Sequence, residues 1–430
     1  MRAVRRLCLA ACLTIGASAG ESAAQPVAPT PTAAALQLTL EEAISQALTR
    51  NRDLRVSRRD VDVSRGKLQQ AERYPFNPEL SVEGEGGRAV GREDTEFRGI
   101  GGGKIGLSQV IEIRGQRGLR VLGAEADVRR AEWGSREAER DVIADVTKAF
   151  SDVLVAQERI ALARESLTLA ENLRNAAKTL VDAGDVPELD LLRADVEVRR
   201  AENRVRLDEA SAMTATRTLA LLIGAPADVG VTATGPLLLA PIPGSVADLL
   251  VPARASRPDL KAAEAATESA HAALRLVRAD RFFPSVTVSA GYGEALDFDA
   301  RTRMALVGVS IPLPFWNRRE GDIKAAEAEV AKQQAERERI FARIDKEVIT
   351  AYRQFAAAQQ VVQGYLRQIV PAQGQNARLV EEGYRLGQLR LTEALLAQRD
   401  LIEARTAYLE AIANYNAARV DLQKAAGVRP

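Results

Sequence analysis

Apolar residues in the C-terminal quarter recur in strict steps of four and three: Ile344, Val348, Ala351, Phe355, Ala358, Val362, Tyr365, Ile369 and Ala372. A 3.5-residue average keeps one stripe of a helix against a partner, so this is the seam of a coiled coil. Lowering each number by 202 gives a second unbroken series: Val142, Val146, Ala149, Val153, Ala156, Ile160, Ala163, Leu167 and Ala170. The chain therefore holds one helical hairpin twice. The first is predicted to run from about residue 116 to 180, on the order of 100 Å at 1.5 Å per residue. Gly184 suits the end of that helix and Pro187 the first turn of the returning one, which closes at Gly224. The second hairpin runs from about residue 318, turns near Leu386 and ends at Gly427.

Ahead of each hairpin the period changes from 3.6 to 2. Leu80 and Val82 alternate with Glu79, Ser81, Glu83 and Glu85, giving one apolar and one acidic face. Ile105 and Leu107 repeat the alternation, and Val286, Val288, Ala290 and Tyr292, then Val307, Val309 and Ile311, repeat it in the second half. The glycine-rich segment from Gly86 to Gly103 reads as an exposed loop. A helix is predicted from Thr39, with Glu42 completing a capping box, to about residue 73, where Pro75 and Pro78 stop it. Pro78 falls on Pro284, and Asn51-Arg52-Asp53-Leu54 on Arg257-Pro258-Asp259-Leu260, at an offset of 206. This divides the chain into a repeat over 38–224, a proline-rich linker over 225–250 and a second repeat over 251–427.

The N-terminus carries Arg2, Arg5 and Arg6, an apolar run from Leu7 to Ile15 and small residues around Ala19, the layout of a secretory signal. Cleavage is expected after Ala19 or Ala24, followed by a flexible leader to residue 37; Leu9-Ala10-Ala11-Cys12 also fits a lipoprotein box that would acylate Cys12. Cys8 and Cys12 are the only cysteines, so no disulfide is expected in the mature chain.

A net charge of +1, with 27% charged and 4% aromatic residues, suits long exposed helices and argues against nucleic-acid binding. The single histidine, His271, and the methionines left after processing, Met213 and Met304, form no soft-metal cluster. Gly99 to Lys104 resembles a phosphate loop, but Arg98 and Ile105 stand where glycine and a hydroxyl residue are required. No hydrolase constellation can be assembled, and neither enzyme activity nor a cofactor is expected.

Four strands cannot close a barrel, and an open edge in lipid leaves peptide groups unpaired at several kcal/mol each. The wall must then be completed by other copies, giving eight strands from a dimer or twelve from a trimer with a lumen. Glu79, Glu83 and Glu85 are hydrated if they line that lumen. Around the hairpin turns lie further carboxylates, which in a trimer would form rings that attract cations.

With its two repeats, and with Phe76-Asn77-Pro78-Glu79-Leu80, Gln109-Val110-Ile111-Glu112 ahead of Gly115-Gln116-Arg117, Ser256-Arg257-Pro258-Asp259-Leu260 and Ile311-Pro312-Leu313-Pro314-Phe315-Trp316-Asn317-Arg318, the chain resembles the TolC-type outer-membrane efflux channels. These motifs are similar to the branch serving cobalt-zinc-cadmium tripartite pumps. The resemblance implies a mainly α protomer with a small β part, in a homotrimer whose twelve-stranded outer-membrane barrel continues as a periplasmic helical tube. It implies a passive exit duct working with a periplasmic adaptor and an inner-membrane pump of the RND type. The family's constricting acidic position falls on Glu393, with Asp190 its counterpart; a second falls on Leu396, which is not acidic. The adaptor would dock on the tips, at Gly184, Asp185, Val186, Pro187, Gly387, Gln388, Leu389 and Arg390. Two other readings remain open: a channel for organic solutes or drugs, and a periplasmic coiled-coil scaffold.

Overall fold

A computed structural model describes residues 36–90, 97–226, 230–242, 244–282, 284–297 and 300–427; the expected signal and most of the leader lie outside them. In the first repeat, strand β1 (Leu36–Leu38) and helices α1 (Leu40–Arg50) and α2 (Arg52–Glu72) lead to strands β2 (Glu79–Val90) and β3 (Phe97–Glu112). Helices α3 (Gln116–Asp182) and α4 (Glu188–Leu222) form the hairpin; the linker holds β4 (Val231–Ala233), and α5 (Val246–Ser256) runs from it into the second repeat. The second repeat has α6 (Pro258–Ala279), β5 (Ser285–Asp297), β6 (Ala300–Ser310), α7 (Glu320–Gly364), α8 (Val370–Arg385) and α9 (Leu391–Ala426).

The strands form one antiparallel sheet in the order β2-β3-β5-β6, with β3 and β5 joining the repeats. Helices follow the same order below it: α3 packs on α2 and α6, and α6 packs on α7. Each described protomer thus ends in two free edges, α2 with β2 and β6 with α7. The junction between sheet and helices is pinned by side chains. Tyr74 Oη donates to the Val110 carbonyl and accepts from Glu112 N–H, both at 2.8 Å, while Arg117 Nε donates to the Glu72 carbonyl at 2.9 Å.

Three apolar cores hold the helices. One gathers α1, α3, α4 and β4 around Val146, Phe150 and Leu219. Its counterpart gathers α6, α7 and α9 around Ile344, Val348, Phe355 and Ile412. The third, at the hairpin tips, packs Leu173 and Ala177 against Ala194, Tyr384, Leu391 and Ala394.

Four expectations need correction. The predicted 86–103 loop is largely strand, because Gly84 pairs with Gly103 and Gly86 with Gly101 and the ladder continues beyond them. Glycine deletes the alternating side chains by which strands are recognised; only 91–96 of that stretch lie outside the described residues. The 39–73 helix is two helices, parted at Asn51, whose ψ of 135° leaves the helical region. Leu36 and Gln37, expected in the leader, pair in parallel with Val231 and Thr232. The second seam is buried only to Val362: residues 365–369 make a π turn whose wider spacing rotates the face, leaving Ile369 and Ala372 exposed.

Candidate functional site

Sheet register decides what each face can do, since antiparallel partners point the same way. Leu80 pairs with Leu107, Leu107 with Ala290 and Ala290 with Val307, an apolar row across all four strands. Val82, Ile105 and Val309 extend that face, and all but the alanine are large, exposed apolar side chains. The opposite face carries the row Glu79, Ser108, Ser289 and Gly308. Glu83 and Glu85 lie on this polar face with Glu79, as the alternation predicts, and Lys104 Nζ pairs with Glu85 at 3.2 Å. One sheet thus presents a hydrocarbon-compatible side and a hydrated side. Among the described residues no helix is long and apolar enough to cross a membrane.

At the far end the two turns are built alike. Gly184 and Gly387 take positive φ of 81° and 71°. Gly184 N–H bonds the Val181 carbonyl and Asp185 N–H the Leu180 carbonyl, while Gly387 and Gln388 bond Tyr384 and Gly383 in the same way, each at 2.9 Å. Both helices thereby end in a Schellman turn. Gly184, Asp185, Pro187, Gly387, Gln388, Leu389 and Arg390 are exposed, and Val186 is half-buried.

Asp190 and Glu393 occupy matching stations, third in α4 and α9, with their N–H groups bonded to Pro187 and Arg390 carbonyls at 3.0 Å. Their surroundings differ. Asp190 is half-buried, pairs with Arg193 at 3.5 Å and lies close to Tyr384. Burial, and after it the Asp190 charge, push the Tyr384 phenol up; Tyr384 is 2% exposed, and its Oη has no hydrogen-bond partner among the described residues. Glu393 is exposed, its Oε2 accepting from Arg390 N–H at 3.1 Å to complete a capping box. Leu396, one turn on, is exposed.

Residues that periodicity did not single out fix the equator. Asn416 is 1% exposed; its Nδ2 donates to Ser151 Oγ at 2.7 Å and the Leu237 carbonyl at 2.8 Å, and its Oδ1 accepts from Leu239 N–H at 3.1 Å. It thereby ties the linker to α3 and α9. An asparagine on an apolar helix face is the only sequence signal it gives. His271 is exposed on α6, and among the described residues no three histidine, cysteine or carboxylate side chains gather as metal ligands.

The family model for "Outer membrane efflux protein" matches residues 43–225 and 249–428. Over 379 residues the chain is 30% identical to the cobalt-zinc-cadmium resistance protein CzcC of Cupriavidus metallidurans, covering 88% of this chain and 87% of that one. It is 27% identical over 419 residues to the probable efflux pump outer membrane protein TtgC of Pseudomonas putida, with 90% and 82% covered. Among solved structures it is similar to the outer-membrane channel OprN (TM-score 0.77, 23% identity, 91% and 90% covered). It is also similar to CusC, whose crystal structures concern its folding and transmembrane channel formation (TM-score 0.75, 20% identity, 91% and 92% covered).

Proposed function

The chain belongs to the outer membrane efflux protein family and has the TolC-type channel fold, its place being the outer membrane; from that premise we propose that three copies form the passive exit duct of a tripartite pump for heavy-metal cations. The observation that carries the substrate class is the 30% identity to the cobalt-zinc-cadmium resistance protein across nearly the whole chain. Each copy joins its β2 and α2 edge to the β6 and α7 edge of the next, so that twelve strands close in the membrane and no peptide group is left open to hydrocarbon. Leu80, Leu107, Val307 and Val309 then face lipid, and Glu79, Glu83 and Glu85 face water in the lumen.

Below the barrel the hairpins form a periplasmic tube. Their tips, from Gly184 to Pro187 and Gly387 to Arg390, receive a periplasmic adaptor, and an inner-membrane pump of the RND type supplies the energy. The duct performs no chemistry of its own. Metal passes as a hydrated ion and selection belongs to the pump. Glu393, threefold repeated, contributes a cation-attracting ring at the constriction, and the half-buried Asp190 stiffens it.

The test is export with the cognate pump and adaptor in a strain lacking its own outer-membrane channel. Cobalt, zinc and cadmium tolerance should return with the wild-type chain, and Glu393→Ala should lower the cation-over-anion permeability of the purified channel in planar bilayers. Restored tolerance to toluene or drugs without metal tolerance would replace the metal reading by an organic-solute one, which the 27% identity to an antibiotic and to a toluene efflux pump outer membrane protein of Pseudomonas putida supports. Unchanged ion selectivity would remove Glu393 from the gate.

A further inference from the structure

Where the strands meet the helices, the apolar face does not stop but changes chemistry. Tyr74 and Phe76 precede β2, Phe282 precedes β5, and Phe315 and Trp316 follow β6; all are exposed, Trp316 at 96%. Leu313 and Phe315 carry on the alternate apolar positions set by Val307, Val309 and Ile311, and they are exposed as those are. The aromatic rings meet edge to face, Tyr74 with Phe76 at 6.3 Å and Phe315 with Trp316 at 6.2 Å. Phe315 and Trp316 stand clearest of the described elements, while the Tyr74 hydroxyl is held by the β3 backbone and the Arg281 guanidinium lies 5.0 Å over the Phe282 ring.

Arginines stand at the same level. Arg73, Arg114 and Arg318 are exposed, and their guanidinium groups have no hydrogen-bond or ion-pair partner among the described residues. The neighbouring carboxylates are mostly engaged: Glu112 with Arg120 at 2.8 Å, Asp280 with Arg319 at 3.2 Å and Glu320 with Arg281 at 3.7 Å. Glu72 is the exposed carboxylate beside Arg73. Aromatic rings seat at the boundary between hydrocarbon and headgroups, where their apolar bodies and polar edges are both satisfied. Free guanidinium groups at that depth meet phosphate, which they bind in a bidentate fork.

We propose that this collar binds the headgroups of anionic phospholipids in the periplasmic leaflet. It rests on the outward orientation of the Leu80 and Val307 face given above, and it continues that lipid surface. Assembly repeats it threefold around the barrel, so each copy brings one anionic site to the joint between barrel and tube.

The test reconstitutes the mature protein in vesicles of phosphatidylethanolamine doped with brominated phosphatidylglycerol or brominated phosphatidylcholine. The chain has two tryptophans, so Trp133→Phe leaves Trp316 as the only reporter of bromine contact. Quenching should give an affinity ratio of at least about five in favour of phosphatidylglycerol, the effect of a single one of the three arginines near a charged surface. The combined Arg73→Gln, Arg114→Gln and Arg318→Gln variant should bring the ratio to about one with quenching by phosphatidylcholine unchanged. A ratio of one in the wild type, or a preference surviving in the variant, would overturn the proposal. Quenching by neither lipid would overturn it too, because Trp316 would then lie away from the bilayer. Ion conductance through the same vesicles separates the readings: conductance with no preference leaves the channel standing and removes the collar.

Discussion

In the first repeat the foot of the returning helix is held by a neutral group, and in the second by a charged one. Asn51 Nδ2 donates to the Leu222 carbonyl at 3.0 Å, while its Oδ1 caps the N–H groups of Asp53 and Leu54 at 2.9 and 3.1 Å. At the equivalent place Arg257 Nη1 donates to the Ala425 carbonyl at 3.2 Å. The capping is delegated there: Pro258 has no N–H to satisfy, and Asp259 Oδ1 takes the Leu260 N–H at 2.9 Å. Arg257 in turn binds Asp259 at 2.8 Å and Glu347 at 2.7 Å, and Arg343 binds Asp259 at 2.8 Å. Two solutions to one mechanical task thus differ in how much they depend on their neighbours. Arg257→Ala should cost about 3 kcal/mol, since it removes a buried guanidinium that joins Asp259, Glu347 and the Ala425 carbonyl, and leaves the half-buried Asp259 to Arg343 alone. Asn51→Ala should cost about 0.5–2 kcal/mol, the loss of a cap. Thermal unfolding followed by helical circular dichroism compares them; equal losses would mean that the charged fastening is no more demanding than the neutral one.

The glycines that end the returning helices sharpen the comparison from the other side. Gly224 and Gly427 both take the left-handed conformation, with φ of 69° and 72°. A methyl group on Gly224 would lie 2.8 Å from Arg50 Cβ and 2.9 Å from its carbonyl oxygen, whereas on Gly427 it would meet only side-chain atoms, at 3.5 Å or more. Both alanine variants should lose about 1–2 kcal/mol to backbone strain. Gly224→Ala should lose roughly 1–3 kcal/mol more by overpacking against main chain that cannot move aside. If the two melted alike, the first repeat would be looser at its equator than its packing indicates.

Much of this architecture was legible in the sequence because both repeats obey simple periods. The 4-3 seams, the alternating faces and the matched tip glycines follow from local geometry, and the offset places Asp190 and Glu393 at equivalent stations. Features made by glycine or by distant partners were not legible. Strand pairing through Gly84, Gly86, Gly101 and Gly103 leaves no side-chain alternation to detect. The break at Asn51 depends on a carbonyl 171 positions away. Asn416 earns its place through residues 265 and 179 positions distant. The tip carboxylates show the same limit, since position alone does not distinguish the half-buried Asp190 beside Arg193 from the exposed capping Glu393.

The smallest expected effect is one of pH, and it separates the two fastenings by sign. Burial alone pushes the Asp259 carboxyl up, but the hydrogen bonds and charge of Arg257, helped by Arg343 and the Leu260 N–H, outweigh it and hold the group below the usual carboxylate range. A carboxyl with a lowered folded value binds fewer protons folded than unfolded. Its contribution is therefore complete above about pH 4, the unfolded value, and is lost as pH falls through the folded one. Asn51 does not titrate, so the first repeat has no counterpart. Total stability hides this, because Glu137, Asp145 and Asp152 on α3 are raised, chiefly by burial, and so contribute with the opposite sign. The difference in melting temperature between the wild type and Asp259→Asn cancels Asp145 and Asp152, and leaves from Glu137 only the small part of its rise that the Asp259 charge adds to burial. It should hold constant from neutral pH down to about pH 5 and shrink below about pH 4. A difference that stayed constant into strong acid would show that the Arg257 fastening draws nothing from the Asp259 charge, and the contrast with Asn51 would reduce to shape.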